Sequence, residues 1–161
     1  MSLLIRRACP EQAGLVLSFV RELAEYEKLV HELEATEEMI AEALFGESPR
    51  LFCDIAEWNG EPAGFAVWFI NYSTFSGRHG IYLEDLFVRP AFRRNGIGKA
   101  LLNHLASECL ANGWSRLQWA VLDWNTPSIE FYKSLGAVLM DEWTVCRVTG
   151  AALQRLAQKA S

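Results

Sequence analysis

The sequence predicts a mixed α/β fold of the α+β kind, with a central, mostly antiparallel sheet flanked by helices. Three observations carry this reading. One stretch near the N-terminus repeats apolar residues at helical spacing, and a cap with an acidic first turn opens a second helix after it. Two apolar, aromatic runs follow, joined by Asn59-Gly60, a pair suited to a two-residue hairpin because both turn positions need positive φ. The second half then alternates strand, helix, strand, helix, strand.

Taken in order, Leu3 to Arg7 reads as a short extended run. From Pro10 to Val30, Leu15, Phe19, Leu23 and Tyr26 recur at three- and four-residue spacing, which predicts an amphipathic helix with Pro10 in its first turn. Thr36 followed by Glu37 and Glu38 predicts a cap and an acidic first turn, opening a second helix that runs to Phe45 and stops at Gly46. Strands are expected over Leu51 to Trp58, Ala63 to Tyr72 and Ile81 to Val88, the last stopped by Pro90. Gly96 to Ala111 places Ile97, Leu101, Leu105 and Cys109 on one helical face. Arg116 to Leu122 reads as a strand, and Thr126-Pro127 opens a short helix that Gly136 ends. Ala137 to Val148 is apolar enough for one or two last strands, and Ala151 to Lys159 for a terminal helix.

Length and composition narrow the function classes. A chain of 161 residues, half of them hydrophobic, fits one domain over 1–161 with a sizeable core. No apolar run is long enough to span a bilayer, and no basic stretch precedes an apolar core at the N-terminus, so a cytoplasmic protein with no membrane partner is expected. The net charge of −5 excludes the basic footprint of a nucleic-acid binder and favours cationic small molecules. Cys9, Cys53, Cys109 and Cys146 form no CxxC pair and read as buried thiols. His31, His79 and His104 are scattered, so no metal site is expected.

Three features carry candidate chemistry. Arg93-Arg94-Asn95-Gly96-Ile97-Gly98-Lys99 follows a strand and opens a helix. Glycines there let backbone N–H groups approach an anion, and basic residues at a helix start oppose the dipole unless an anion binds. The run lacks the Ser/Thr of a Walker loop and the third glycine of a dinucleotide fingerprint, and a solvated basic turn is the plainer alternative. Glu84-Asp85 lies in an apolar strand, where neighbours point to opposite faces, so at least one carboxylate leans inward. Burial raises a carboxyl pKa toward that of a general base, whereas an edge strand would leave one acid solvated and one capping an amide. Tyr132 could donate a proton or simply pack, and Trp119 and Trp124 could line a groove or the core.

Arg93-x-x-Gly96-x-Gly98 after Val88-Arg89-Pro90 resembles the acetyl-CoA signature of the GNAT N-acetyltransferase superfamily. Glu25-Tyr26-Glu27-Lys28-Leu29, Tyr82-Leu83-Glu84-Asp85, Ala120 to Asn125 and Phe131-Tyr132-Lys133 extend the likeness to diamine acetyltransferases, over Ile5 to about Trp143. Val121 to Asn125 is more similar to the thialysine type, Ser128 to Tyr132 to the spermidine/spermine type.

The resemblance implies a GNAT fold, acetyl-CoA as cosubstrate, no metal, a small cationic amine as acceptor, and a homodimer. It implies that the backbone of Arg94, Asn95, Gly96, Ile97, Gly98 and Lys99 holds the CoA pyrophosphate, that Arg93 also belongs to the cofactor site, and that Leu86, Phe87 and Val88 pair with the pantetheine arm. Asn125, Thr126, Pro127 and Ser128 would contact the cofactor from the other side. Tyr132 would protonate the leaving thiolate, and Glu84 would accept the amine proton. Tyr26, Glu27, Asp85 and Glu142 would line the acceptor groove, with Glu142 in a loop shorter than that of the relatives. Alternatives on the same fold are another acceptor, such as a protein N-terminus, or a non-catalytic acyl-CoA-binding regulatory domain. The presence of both Glu84 and Tyr132 argues against the latter.

Overall fold

The computed structural model describes residues 2–158. The chain forms two compact units, Met1–Leu122 and Asp123–Ser161.

In the first unit, β1 (Leu3–Arg7), β2 (Phe52–Trp58), β3 (Glu61–Ser73), β4 (Arg78–Val88) and β5 (Leu117–Gln118) form one sheet in sequence order. The first four strands are antiparallel, and β5 runs parallel to β4. Asn59 and Gly60 turn β2 into β3 with φ of 51° and 84°, as the hairpin reading requires. Gly80 permits the parallel pairing, because a Cβ there would lie 2.4 Å from the Arg116 carbonyl oxygen.

One sheet face is covered by α1 (Ala13–Tyr26) and α2 (Glu37–Phe45). Val16, Phe19 and Leu23 of α1 and Leu44 of α2 pack there with Cys53, Ile55, Phe65, Val67 and Phe87 of the sheet. Thr36 caps α2 by accepting from the Met39 amide at 3.2 Å. The first helix departs from its predicted span. Pro10–Gln12 is a separate 3-10 turn, and α1 stops at Tyr26 instead of Val30. Lys28 adopts φ 62°, and the amides of Lys28 and Leu29 bond back to Glu25 and Ala24, a Schellman stop in which lysine holds the usual glycine position.

The other face is covered by α3 (Ile97–Ala111), through the buried side chains of Ile97, Leu101, Leu105 and Cys109. Under it Asp54 is buried but satisfied. Trp68 Nε1–H donates to it at 2.7 Å and Arg7 Nε–H at 3.1 Å, and His104 Nε2 lies 3.4 Å away.

The second unit contains α4 (Thr126–Ser134) and α5 (Gly150–Ala157); Lys159, the expected end of α5, lies outside the described residues. Two strand expectations fail. The strand expected over Arg116 to Leu122 pairs only at Leu117 and Gln118. Ala137 to Val148 forms no strand among the described residues: this unit offers it no sheet edge, and a strand needs a partner for its backbone groups. Val138, Met140, Trp143, Val145 and Val148 are exposed along it. The cysteines divide: Cys53 and Cys109 are buried, as expected, whereas Cys9 and Cys146 are exposed, and all four are free thiols.

Candidate active site

The C-terminal half of β4 leads directly into the basic loop. β3 pairs with β4 as far as Val88, but β5 covers only Ile81 and Tyr82 on the opposite edge. Within this unit the backbone from Glu84 to Val88 is therefore open on one side, where an extended ligand can add as a strand. Leu86 and Val88 are half-buried, and Phe87 turns into the core beneath α1.

Beyond Val88, Pro90–Phe92 forms a 3-10 turn. The Asn95 side-chain amide donates to the Phe92 carbonyl at 2.9 Å, fixing the loop. Arg94 and Gly96 have φ of 68° and 75°, so successive amides converge rather than alternate. Gly96 caps α3 without a side-chain hydrogen bond, which leaves the first-turn amides of Ile97, Gly98 and Lys99 outside the helical ladder. The first ladder bond shown at this end is Ala100 N–H to the Gly96 carbonyl, 2.9 Å. Arg94 and Lys99 are exposed beside these donors. An uncapped helix start with a left-handed turn and adjacent cations fits a pyrophosphate.

Arg93 does something different from its neighbours. Its Nε–H donates to the Val88 carbonyl at 3.0 Å, and its guanidinium lies over the rings of Tyr26 and Phe87 at 5.3 and 5.7 Å. Arg89 is structural. It donates to Glu22 at 2.9 Å and lies 4.5 Å from the Phe19 ring, tying the end of β4 to α1. Glu22 is thereby paired.

The acids gather at the end of α1 and in the middle of β4. Val67 pairs with Asp85 and Trp68 with Leu83, so Glu84 is the extra residue of a β-bulge. Glu84 is exposed, whereas Asp85, opposite Val67, is half-buried on the face covered by α1. Burial, then the charges of Glu84 and Glu27, push the Asp85 carboxyl up from 3.8 to about 7. Burial likewise raises the pKa of Glu27 at the C-terminal cap of α1. Glu84 and Glu27 thus both act on Asp85, where a cation would relieve the repulsion.

The sequence identified this acidic pair but not which member is buried. Alternation alone cannot locate a bulge, and the carboxyl brought toward neutrality is Asp85, expected only as a substrate contact. Tyr26, at the last turn of α1, lies at the same end of the helix as Glu27. A cavity of about 500 Å³ lined by Pro49, Arg50, Leu51, Phe52, Phe69 and Ile70 lies at the start of β2 and includes none of these carboxylates.

Within the second unit, Asn125 is buried and caps α4, its side-chain oxygen accepting from the Ser128 amide at 3.4 Å. Thr126 and Pro127 are exposed in the first turn. Tyr132 is half-buried on α4, its ring centroid 5.6 Å from that of Phe131. Glu142 is exposed in a turn. Among the described residues no cluster of His, Cys, Asp or Glu could hold a metal ion, and no helix is long and apolar enough to cross a membrane.

A five-stranded mixed sheet whose fourth strand opens along one edge before an uncapped, glycine-started helix can take an extended ligand with an anionic end. The sequence profile of the Acetyltransferase (GNAT) family matches residues 17–137, and the chain belongs to this family. It is 40% identical to a thialysine N-epsilon-acetyltransferase of Sus scrofa, over 98% of this chain and 99% of that one. It is 30% identical to an L-ornithine N5-acetyltransferase of Arabidopsis thaliana, over 94% of this chain and 86% of that one. Among solved structures, an integron cassette protein from the mobile metagenome of V. cholerae superposes with a TM-score of 0.81 at 31% identity, covering 99% of each chain. The protein is an acetyltransferase, and members of its family use acetyl-CoA.

Proposed function

We propose that the protein, as a single acetyltransferase domain, transfers the acetyl group of acetyl-CoA to a primary amine at the end of a small aliphatic diamine, polyamine or thialysine-like amino acid. The observation that carries this reading is the convergence of Glu27, Glu84 and Asp85 beside the open edge of β4. An alkylammonium is attracted by such a group of charges, and it must lose a proton before its nitrogen can attack. The names of the thialysine and ornithine relatives, both acting on a terminal side-chain amine, support the same class.

In this reading the loop from Arg94 to Lys99 holds the pyrophosphate, with Asn125 to Ser128 as a further contact to the cofactor. The backbone of Leu86 to Val88 aligns the pantetheine arm. Acetyl-CoA, when bound, supplies a thioester carbonyl activated toward attack. Glu84 and Asp85 act as a coupled proton acceptor, with the exposed Glu84 exchanging the proton with water and Asp85 matched to neutral pH. Tyr132 protonates the departing thiolate, and Tyr26, Glu27 and Glu142 contact the acceptor. The acceptor attacks directly while both substrates are bound, and no protein nucleophile is used. The protein acts as a homodimer in the cytoplasm.

A steady-state panel tests this reading. Purified protein is given acetyl-CoA with putrescine, spermidine, thialysine, ornithine or a peptide with a free N-terminus, and thiol release is followed. Saturable turnover with the small amines is expected. Turnover confined to the peptide, or none with any amine, would sink it.

A further inference from the structure

Phe69 and Tyr82 form an aromatic surface that the roles above leave unused. They are register partners on β3 and β4, and their rings stack with centroids 5.2 Å apart. Their face follows from the strands. Val67 lies in the core under α1, and side chains two apart on a strand share a face, so Phe69 lies on that face and Tyr82 with it. Asp85, three residues from Tyr82, would ordinarily point the opposite way. The bulge at Glu84 adds one residue and returns Asp85 to the same face.

The cover above this face ends between the two pairs. Phe65 and Val67 are buried, whereas Phe69 and Tyr82 are half-exposed. The Tyr82 hydroxyl is raised above its ordinary pKa by burial and then by the charge of Glu84, which brings that carboxylate within electrostatic reach of the ring. The stacked rings therefore continue the carboxylate site along the sheet, away from Val88. Two residue steps on β3, about 7 Å, separate the Asp85 position from the Tyr82 position, the span of a short diamine.

We propose that Phe69 and Tyr82 form a second cation subsite, which takes the distal ammonium of a dicationic acceptor while its other amine is acetylated beside Asp85. This rests on the acceptor class proposed above and adds the residues that select within it. An ammonium over the face of a half-buried tyrosine gains cation–π attraction, with Glu84 supplying the countercharge. A monoamine of the same length reaches the carboxylates but leaves the aromatic subsite without a cation.

The test is a selectivity ratio: kcat/KM for putrescine or thialysine, whichever the wild type turns over faster, divided by kcat/KM for butylamine. General damage to catalysis affects both amines and cancels. Tyr82→Leu should lower the ratio by about 3- to 30-fold, and Tyr82→Phe, which keeps the ring face, should recover most of that loss. Phe69→Leu, on the neighbouring strand, should lower it in the same direction. Thermal melts verify that each variant is folded. A wild-type ratio in folded Tyr82→Leu and Phe69→Leu overturns the subsite while leaving the proposed function standing. A wild type that acetylates none of these amines overturns both.

Discussion

Replacing Asp85 with asparagine should stabilise the protein while disabling it. The folded state holds the Asp85 carboxyl at about 7, against an ordinary 3.8, because it is half-buried and faces Glu84 and Glu27. Below pH 3.8 the folded and unfolded chains both carry the proton. Between 3.8 and about 7 only the folded chain does, so wild-type stability falls as pH rises through this window. Above it the loss is complete. At about 1.4 kcal/mol per pH unit, the full shift corresponds to about 4 kcal/mol. Solvent screening at a half-buried site reduces this to about 2–3 kcal/mol. Asparagine has the same shape and no charge, so it escapes the penalty. For a chain of this size its melting temperature at pH 8 should exceed that of the wild type by about 4–12 °C. The gain should shrink steadily toward pH 4. Turnover should meanwhile fall by about 10²- to 10⁴-fold with the loss of the proton acceptor. Melting curves of both proteins from pH 4.5 to 8.5, with amine kinetics alongside, provide the assay. A stability difference independent of pH, or undiminished turnover in the variant, would refute the reasoning.

Three further substitutions separate the parts of the site. Tyr132→Phe removes one oxygen and should lower kcat by about 10²- to 10⁴-fold in a folded protein, as read by initial rates; wild-type turnover would return Tyr132 to packing. Glu27→Gln should chiefly raise the acceptor KM, more for amines of higher charge, while the KM for acetyl-CoA stays level. CoA at about 100 times its dissociation constant should add about 2.7 kcal/mol of stability, and Arg94→Glu should weaken the resulting melting shift.

The elements legible in the sequence are those fixed by local chemistry. Asn59-Gly60 and Thr36 announce a hairpin and a helix cap because turn and cap geometry depend on the residues themselves. The end of α1 was hidden because Lys28, not glycine, occupies the left-handed position. The apolar character of Ala137 to Val148 suggested strands, but pairing requires an edge that its own unit does not offer. The left-handed turn and uncapped start of α3 were readable from the glycines of the loop. The difference in burial between Glu84 and Asp85 was not, because register against β3 sets the bulge. The same bulge brings Tyr82 onto the face of Asp85, so the aromatic surface was also invisible to simple alternation.

The proposed reaction is amine acetylation at the carboxylate group beside the open edge of β4. Mass analysis of the products formed from acetyl-CoA and a mixture of putrescine, spermidine, thialysine and ornithine tests it most directly, with wild type and Asp85→Asn run in parallel. A single acetyl group on a terminal amine of one or more of these compounds is expected with wild type, and almost none with the variant. Unmodified amines after wild-type incubation, or equal product from the two proteins, would contradict it.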